Sequence, residues 1–410
     1  MTGPAPLACL REACAGLDRV GIAVSGGGDS IAALVLAVEA LGAARVRAVT
    51  VDHGLRPEAA HEAAGVAALC ARLGVPHAVL RWAEGAGGHR GNLMGAARAA
   101  RYALIGDWAR AGGLDAVILA HTQDDQAETV LMRLARGSGV DGVSGMAERR
   151  LAGGILWLRP LLGVSRAALR DALRTRGLSW VEDPTNADLR FQRPRARGAL
   201  AALADLGIDA AGLAATAQRM RRARDALEAQ TQAALDALVR EDRGTLRIAA
   251  WPALPEIRDR MAAHLLMHLS GAWHRPRLED LHRLLARGQG TLMGCLLQPE
   301  GDGWRLSREA VAVAALRGTP WDGRWRAEGP GPGEIRALGE DGLTRLSRQA
   351  RAGQHPHWRE TGLARAVLAG LPAIWHNDAL IAAPLAAWPQ GWHLSARPLA
   401  AIVADRALSH

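Results

Sequence analysis

The sequence predicts an α/β fold with a doubly wound parallel sheet in residues 1–204. Short apolar segments alternate there with helical segments, and polar motifs directly follow three of the apolar segments. The predicted strands cover residues 20–24, 45–52, 75–82 and 116–120. Ligands of such sheets bind at the carboxyl ends of the strands. Because SGGGDS, VDHGLR and HTQDD all begin at those ends, we expect them to meet in one crevice.

The first motif lies at a strand-to-helix turn. The helix predicted over 29–43 begins with Asp29 or Ser30 at its cap. Glycine permits positive φ and a close approach of phosphate, and the free N–H groups of a helix N-terminus favour an anion. Ser25 and Ser30 add hydroxyl donors. The turn is therefore predicted to hold phosphate groups, the alternative being a flexible glycine turn without a ligand.

Known phosphate motifs narrow this prediction. A Walker loop requires a lysine, and the chain contains none, so that motif is excluded. A G-x-G-x-x-G dinucleotide loop fits poorly. SGGGDS instead resembles the SGGxDS pyrophosphate loop of the N-type ATP pyrophosphatases, which split ATP between the α and β phosphates. The ATP-binding residues that this resemblance implies are Ser25, Gly26, Gly27, Gly28, Asp29 and Ser30.

The motif after the fourth strand is acidic. On a helix predicted from about 124 to 136, His121, Asp124, Asp125 and Glu128 stand at i, i+3, i+4 and i+7, on one face. Like charges at this spacing repel, so a cationic ligand or a metal is expected to hold them together. Mg²⁺ on ATP phosphates or a substrate ammonium group would serve, whereas one histidine without an HExxH pattern argues against zinc. The alternative is a solvated acidic helix N-terminus.

One more helix is predicted within the first 204 residues, at 165–176. Beyond residue 204, helical patterns cover 210 to about 240, 255–269 and 277–286. They predict a mainly helical domain over 205–318 and, after it, a small mixed α+β domain over 319–410. The formal net charge is +9, and all 50 basic residues are arginine. Arginine suits phosphate contacts and base stacking, so a polyanionic partner is favoured. A GC-rich coding sequence explains why the basic residues are arginine rather than lysine, but it does not explain the positive net charge.

The cysteine pattern predicts a reducing, cytoplasmic location. Cys9, Cys14, Cys70 and Cys295 form no CxxC pair and no zinc spacing. No secretion signal and no stretch of 18 apolar residues occurs, so no membrane partner is expected. The sequence leaves the oligomeric state open, a homodimer included.

Further motifs strengthen one family resemblance. SGGGDS, VDHGLRPE, GNLMGAARAARY, HTQDDQAET with RLARGSG, RPLLGVSR and WVEDPTNAD resemble tRNA(Ile)-lysidine synthetases in order and spacing. The resemblance implies ATP-dependent ligation of free L-lysine to C2 of the wobble cytidine of tRNA(Ile) with a CAU anticodon. The reaction would pass through an adenylated cytidine, release AMP and pyrophosphate, and change codon recognition from AUG to AUA.

The resemblance also implies roles for individual residues. Asp29, Asp125 and Glu128 would be catalytic, with Asp29 also a Mg²⁺ ligand. Asp125, Glu128 and His121 would bind lysine, and Arg101 and Arg193 would bind ATP. The arginines predicted to contact tRNA, unless they form an ordinary solvated helix face, are Arg133, Arg136, Arg219 and Arg222.

Two departures from the family pattern are visible. His121-Thr122 stands where the family has two adjacent histidines, so a role for the second one does not carry over. Phe191-Gln192-Arg193-Pro194-Arg195-Ala196-Arg197 stands where the family has Tyr-x-Arg-Asn-x-Ile-Arg, with proline at the asparagine position. The arginine loop is therefore expected to differ in shape.

Three other functions compete with ligation of lysine. A tRNA thiolase would typically carry CxxC pairs or an iron–sulfur cluster, and no cysteine lies near the site motifs apart from Cys70 within a helix. An amidotransferase-type synthetase would need an ammonia source, for which the chain shows no Cys–His signature. An RNA-binding protein on a vestigial nucleotide fold would not need the glycine loop together with Asp29, Asp125 and Glu128.

Overall fold

The computed structural model describes residues 5–54, 59–82, 93–181, 190, 192–272, 274–353 and 355–396. The helices are α1 Pro6–Ala13, α2 Gly28–Leu41, α3 Ala59–Leu73, α4 Leu93–Ala111, α5 Gln123–Leu134, α6 Val140–Val143, α7 Arg166–Thr175, α8 Gln192–Ala202, α9 Ala210–Leu238, α10 Pro255–Ser270, α11 Leu278–Arg287, α12 Ala310–Val313, α13 Gly339–Arg351 and α14 Arg365–Ala369. The strands are β1 Val20–Ala23, β2 Val46–Asp52, β3 His77–Arg81, β4 Ala116–Ile118, β5 Arg149–Ala152, β6 Ile155–Leu158, β7 Val239–Asp242, β8 Thr245–Ile248, β9 Gly290–Leu292, β10 Cys295–Glu300, β11 Gly303–Arg308, β12 Trp325–Glu328, β13 Glu334–Ala337, β14 Pro372–His376, β15 Ala379–Ala382 and β16 His393–Ala396.

The first part of the chain is built on a six-stranded sheet in the order β3-β2-β1-β4-β6-β5. β1, β2, β3, β4 and β6 run parallel, and β5 pairs with β6 antiparallel. Apolar clusters cover both faces: Leu34 and Leu169 belong to one, Ile105 and Trp157 to the other. A parallel sheet covered on both faces is the predicted doubly wound arrangement.

The four predicted strands are all present and are one to three residues shorter than expected. The sequence analysis did not predict β5 and β6, which form a hairpin of four residues a side. Short strands of this kind carry too few residues for a periodic pattern. Because β6 pairs with β4, the fourth strand is internal in the sheet, and the HTQDD motif follows an internal strand.

The chain divides into two compact units, one up to Arg224 and one from Asp225. The three-domain division at 204/205 and 318/319 stays a prediction. The second unit contains the three predicted helices or parts of them, as well as a five-stranded antiparallel sheet in the order β7-β8-β11-β10-β9 that the sequence analysis missed. Its last part has a three-stranded sheet, β13-β14-β15, and the pair β12-β16.

Motif residues 55–58, 91–92, 182–189 and 191 lie outside the described residues, as does the end of the chain from 397. No helix in the part of the chain that the structure describes combines the length and apolar character needed to span a membrane.

Candidate active site

The glycine loop needs its glycines for distinct reasons. Gly26 has a φ of +87°, a conformation that residues with a Cβ rarely adopt. Gly27 is the N-cap of α2, with extended backbone. A Cβ on Gly28 would lie 3.1 Å from the indole of Trp180. Val181 continues this contact, because its N–H donates to Gly26 O at 3.2 Å. The loop is thus packed from one side by residues 180–181.

The cap of α2 differs from the prediction. Neither Asp29 nor Ser30 caps the helix: Gly27 does, and no side chain accepts from the first turn. Ser30 Oγ instead donates to Gly27 O at 2.8 Å and accepts from Ser25 N at 3.1 Å. The first N–H groups of a helix have no intrahelical acceptor. Those of α2, left without a side-chain cap, suit the binding of an anion.

The helix after β4 also begins elsewhere than the sequence analysis assumed. Thr122 is its N-cap, so His121 precedes the helix and does not share a helical face with the carboxylates. Asp125 and Thr122 form a capping box: Asp125 N donates to Thr122 Oγ1 at 3.3 Å, and Asp125 Oδ2 accepts from Thr122 N at 2.9 Å. One oxygen of Asp125 is therefore occupied by the backbone.

Arg166 lies among three carboxylates that two helices bring together. Its Nε donates to Asp29 Oδ2 at 3.0 Å, and its Nη2 donates to Asp125 Oδ1 at 3.1 Å. Its Nη1 lies 3.7 Å from Glu128 Oε1. The sequence analysis expected a ligand or a metal to hold the acidic residues together, and the structure places an arginine of the same chain there.

The charges of this cluster shift the pKa of its members in different directions. Burial raises the pKa of Asp29, and the positive charge of Arg166 reduces that rise. Burial also acts to raise the pKa of Asp125, but the hydrogen bond from Thr122 N and the charge of Arg166 outweigh it and lower that pKa. Burial lowers the pKa of His121, which favours a neutral ring. Asp29 is thus less strongly held in its ionised form than Asp125.

The cluster retains unused acceptor atoms. Within the described residues, Asp29 Oδ1 and Glu128 Oε2 are buried and accept no hydrogen bond, and His121 Nδ1 has no partner. The Glu128 side chain is only 1% exposed. Buried polar atoms are rarely left unpaired, so free oxygens here indicate a place for donors from a ligand. Across those same residues, no group of three or more His, Cys, Asp or Glu side chains is arranged to hold a metal ion.

Two arginines predicted to bind ATP lie in different surroundings. Arg193 Nη1 lies 3.8 Å from Asp125 Oδ1, which places it beside the carboxylate cluster. Arg101 Nε donates to His53 Nε2 at 3.3 Å. Arg197, in the same helix as Arg193, donates from Nε to Glu128 Oε1 at 2.8 Å. The helix with proline at the family's asparagine position therefore still directs two arginines to the acidic cluster.

The arginines predicted to contact tRNA differ in exposure. Arg219 and Arg222 are exposed on α9, and Arg136 is exposed and donates to Gln192 Oε1. Arg133 is half-buried, and its Nη1 donates to Gly142 O and Gly145 O at 2.8 and 3.1 Å. Arg133 is thus held by backbone carbonyls, whereas the other three present their side chains to solvent.

Sequence reasoning missed Arg166 as a member of the site and considered Arg197 only as part of the arginine loop, for phosphate and not for contact with Glu128. Both stand in segments that the family resemblance had marked, RPLLGVSR and the arginine loop. Their role became visible only through contacts with residues far away along the chain. The capping box, by contrast, was detectable as T-x-x-D at Thr122.

Several known proteins resemble this chain. A family model described as a PP-loop domain matches residues 8–203. The tRNA(Ile)-lysidine synthase of Ruegeria pomeroyi is 45% identical over 358 residues, covering 84% of this chain and 83% of that protein. That of Methylobacterium nodulans is 44% identical over 305 residues, covering 70% and 89%. A solved structure, the U34-tRNA thiolase NcsA of Methanococcus maripaludis, is 15% identical with a TM-score of 0.45, covering 53% of this chain and 77% of that one.

The doubly wound sheet and the glycine loop at the end of β1 define a PP-loop protein, a class that uses ATP. Sequence identity to relatives across most of both chains identifies the family within this class. The chain belongs to the tRNA(Ile)-lysidine synthase family.

Proposed function

We propose that this protein joins L-lysine to C2 of the wobble cytidine of tRNA(Ile) with a CAU anticodon, using ATP. Family membership supports the reaction. The observation that carries it in the structure is the meeting of the ATP loop with the carboxylate cluster, because Arg166 contacts both Asp29 of the loop and Asp125 of the cluster. An anion site and an ammonium site therefore adjoin each other.

The reaction has two steps. The cytidine O2 attacks the α-phosphate of ATP, the bond to the β-phosphate oxygen breaks, and pyrophosphate leaves. The lysine ε-amine then attacks C2, and AMP leaves with the former O2. Both steps depend mainly on placement and on stabilisation of charge. The uncapped N-terminus of α2 and the hydroxyl of Ser25 would hold the leaving pyrophosphate, and Ser30, whose hydroxyl donates to Gly27 O, would support the loop.

Lysine would bind through its ammonium groups at Asp125 and Glu128, with His121 beside them. Glu128 Oε2 is buried and unpaired among the described residues, so it offers an acceptor for an ammonium hydrogen. The amine must lose a proton before it attacks, and a carboxylate in contact with it can accept that proton. Neutral His121 adds no positive charge that would repel the substrate.

Mg²⁺ fits this site as a companion of ATP. Asp29 Oδ1 is a free oxygen at the loop, and Mg²⁺ commonly takes one or two carboxylates and completes its shell with phosphate oxygens and water. The ion would neutralise charge on the phosphates. Arg101 and Arg193 are the arginines that we assign to ATP.

We assign tRNA contact to the exposed arginines Arg136, Arg219 and Arg222. Arg221 and Arg224, their neighbours on α9, provide an internal contrast. Arg221 Nη2 donates to Ser144 O at 3.3 Å, and Arg224 is buried. Replacing Arg219 and Arg222 by glutamine should weaken tRNA binding and reduce its salt dependence, as expected when phosphate contacts are lost.

The function is tested with radiolabelled lysine, ATP and an unmodified transcript of tRNA(Ile) bearing the CAU anticodon. We expect label in the RNA only when ATP is present, together with AMP and pyrophosphate. The matched control is the same transcript with uridine at the wobble position, which should take up no label. Equal labelling of both transcripts, or none of either, would contradict the proposal.

A further inference from the structure

We propose that Arg166 is a positioning residue for lysine ligation, which fixes Asp29 of the ATP loop and the carboxylates of Asp125 and Glu128 in one arrangement. The inference rests on the function proposed above and adds to it a residue that spans the two substrate sites. It arises from the contacts of a single side chain with two helices.

The backbone of Arg166 is itself firmly held. It is the first residue of α7, and its N–H donates to Asp124 Oδ2 at 2.7 Å. Ser165 caps the helix by accepting from Ala168 N at 3.2 Å. On the core side of α7, Leu169 and Leu173 are fully buried. The guanidinium is therefore presented from a rigid helix end.

The guanidinium divides its donors among the carboxylates. Each of its three nitrogens faces a different acidic residue, and the Arg166 side chain is 18% exposed. A planar fork of donors at fixed angles can hold several acceptors in a defined relation, which the compact ammonium of lysine cannot do. Removing it would leave three carboxylates close together with less positive charge between them.

These contacts do not use up the acidic groups. Arg166 holds one oxygen of Asp29 and faces one oxygen of Glu128, while the other oxygen of each is buried without a partner among the described residues. Arg197 supports the same oxygen of Glu128 at 2.8 Å. Pinning one oxygen of a carboxylate fixes the direction of the other. Arg166 thus orients free oxygens toward ligands, and it serves both the ATP side and the lysine side.

The test compares Arg166→Met and Arg166→Lys with Arg176→Met. Arg176 is the C-cap of α7, and its Nε and Nη2 donate to the two carboxylate oxygens of Glu39 in α2, at 2.6 and 2.7 Å. Both arginines therefore join α7 to α2 through a carboxylate, but Arg176 does not contact the acidic cluster. The readouts are KM for lysine, KM for ATP, kcat for lysine transfer, and Tm.

We expect Arg166→Met to raise KM for lysine at least tenfold and KM for ATP severalfold, and to lower kcat. Arg166→Lys, which keeps the charge but not the fork, should recover part of this loss. Arg176→Met, which breaks a more exposed ion pair, should lower Tm by less and leave both KM values within twofold of the wild type.

The inference is overturned if Arg166→Met and Arg176→Met have the same KM values, or if KM for lysine falls, which would make Arg166 a competitor of the substrate. If Arg166→Met does not fold, Arg166→Lys carries the test, and KM values unchanged from the wild type would contradict the role. A wild-type protein that transfers no lysine would overturn the proposed function first, before any variant is compared.

Discussion

Two charged clusters of this protein use similar residues to opposite effect. Around Arg166, three carboxylates face its guanidinium, Arg193 and Arg197 lie beside two of them, and two buried carboxylate oxygens accept no hydrogen bond within the described residues. Around Glu228 in the second unit, one carboxylate faces Arg260, Arg275 and His264. Both Glu228 oxygens accept hydrogen bonds there, at 2.6 to 3.1 Å. The first cluster keeps two unused carboxylate oxygens, whereas both carboxylate oxygens of Glu228 are used.

The comparison separates a site from a structural network. An excess of buried acceptors is costly unless a ligand supplies donors, so a site of this kind is incomplete without substrate. A carboxylate whose acceptors are all used can only hold elements together. Burial alone does not distinguish the two, since Glu128 and Arg260 are each 1% exposed. The count of unused carboxylate oxygens does, with two in the first cluster and none on Glu228 within the described residues.

The largest effect on activity is expected from Asp29→Asn. The change removes the charge beside the ATP loop, and losing one preorganised interaction of this kind lowers kcat about 10²- to 10³-fold. Pyrophosphate release in the presence of tRNA measures it. Stability should change little, because Arg166 keeps its contacts with Asp125 and Glu128. If the variant released pyrophosphate at the wild-type rate, the assignment of Asp29 to the catalytic site would be contradicted.

The opposite behaviour is expected for Glu228→Gln. Arg260, buried beside Glu228, would lose a charged partner and keep its contact with Glu256. Breaking a buried pair in this way costs about 3 kcal/mol, which lowers Tm by about 6–12 °C in a unit of this size. Lysine transfer per folded molecule at 25 °C should stay at the wild-type value. A Glu228→Gln variant that is stable but inactive would contradict the claim that the Glu228 cluster has only a structural role.

The pH dependence of stability sharpens the same point. Burial acts to raise the pKa of Glu228, but the hydrogen bond and charge of His264 and the charges of Arg260 and Arg275 lower it to about 2. An unfolded glutamate titrates near 4.3. Stabilisation from this group is therefore fully present above about pH 4 and is lost as the pH falls toward 2.

Urea unfolding at pH 6 and at pH 3 measures this dependence in the wild type and in Glu228→Gln. The difference in free energy of unfolding between the two proteins should shrink by about 1–2 kcal/mol at the lower pH. A difference that stays constant would mean that Glu228 is not held in its ionised form by its neighbours.

A smaller effect is expected in the loop that carries Asp29. In Gly28→Ala the new methyl would lie 3.1 Å from the indole of Trp180, so the ring must move by a few tenths of an ångström. Overpacking of this kind costs about 1 kcal/mol. Gly27→Ala is the matched control for stability, since among the described residues its methyl would meet only Ser25 Oγ, at 3.7 Å. Equal stability of the two variants would show that Trp180 does not pack on the loop.

The sequence predicted what depends on local patterns. The glycine loop, helix α2 and the parallel strands β1 to β4 follow from apolar runs and from residues within a few positions of one another. Arg166 was missed because its partners are 38 to 137 residues away. The sheet around β10 was missed because its short strands mix polar with apolar residues and are not apolar runs that end in a polar motif. The position of His121 was misjudged because Thr122, rather than the first acidic residue, begins the helix.

The most direct test of the account is equilibrium binding of labelled lysine in the presence of a non-hydrolysable ATP analogue. Wild type, Glu128→Gln and Glu228→Gln are compared at 25 °C, with folding verified by Tm. We predict that the wild type and Glu228→Gln bind lysine with equal affinity and that Glu128→Gln binds it at least tenfold more weakly. Equal affinity in Glu128→Gln and the wild type would contradict the assignment of the cluster around Arg166 as the lysine site.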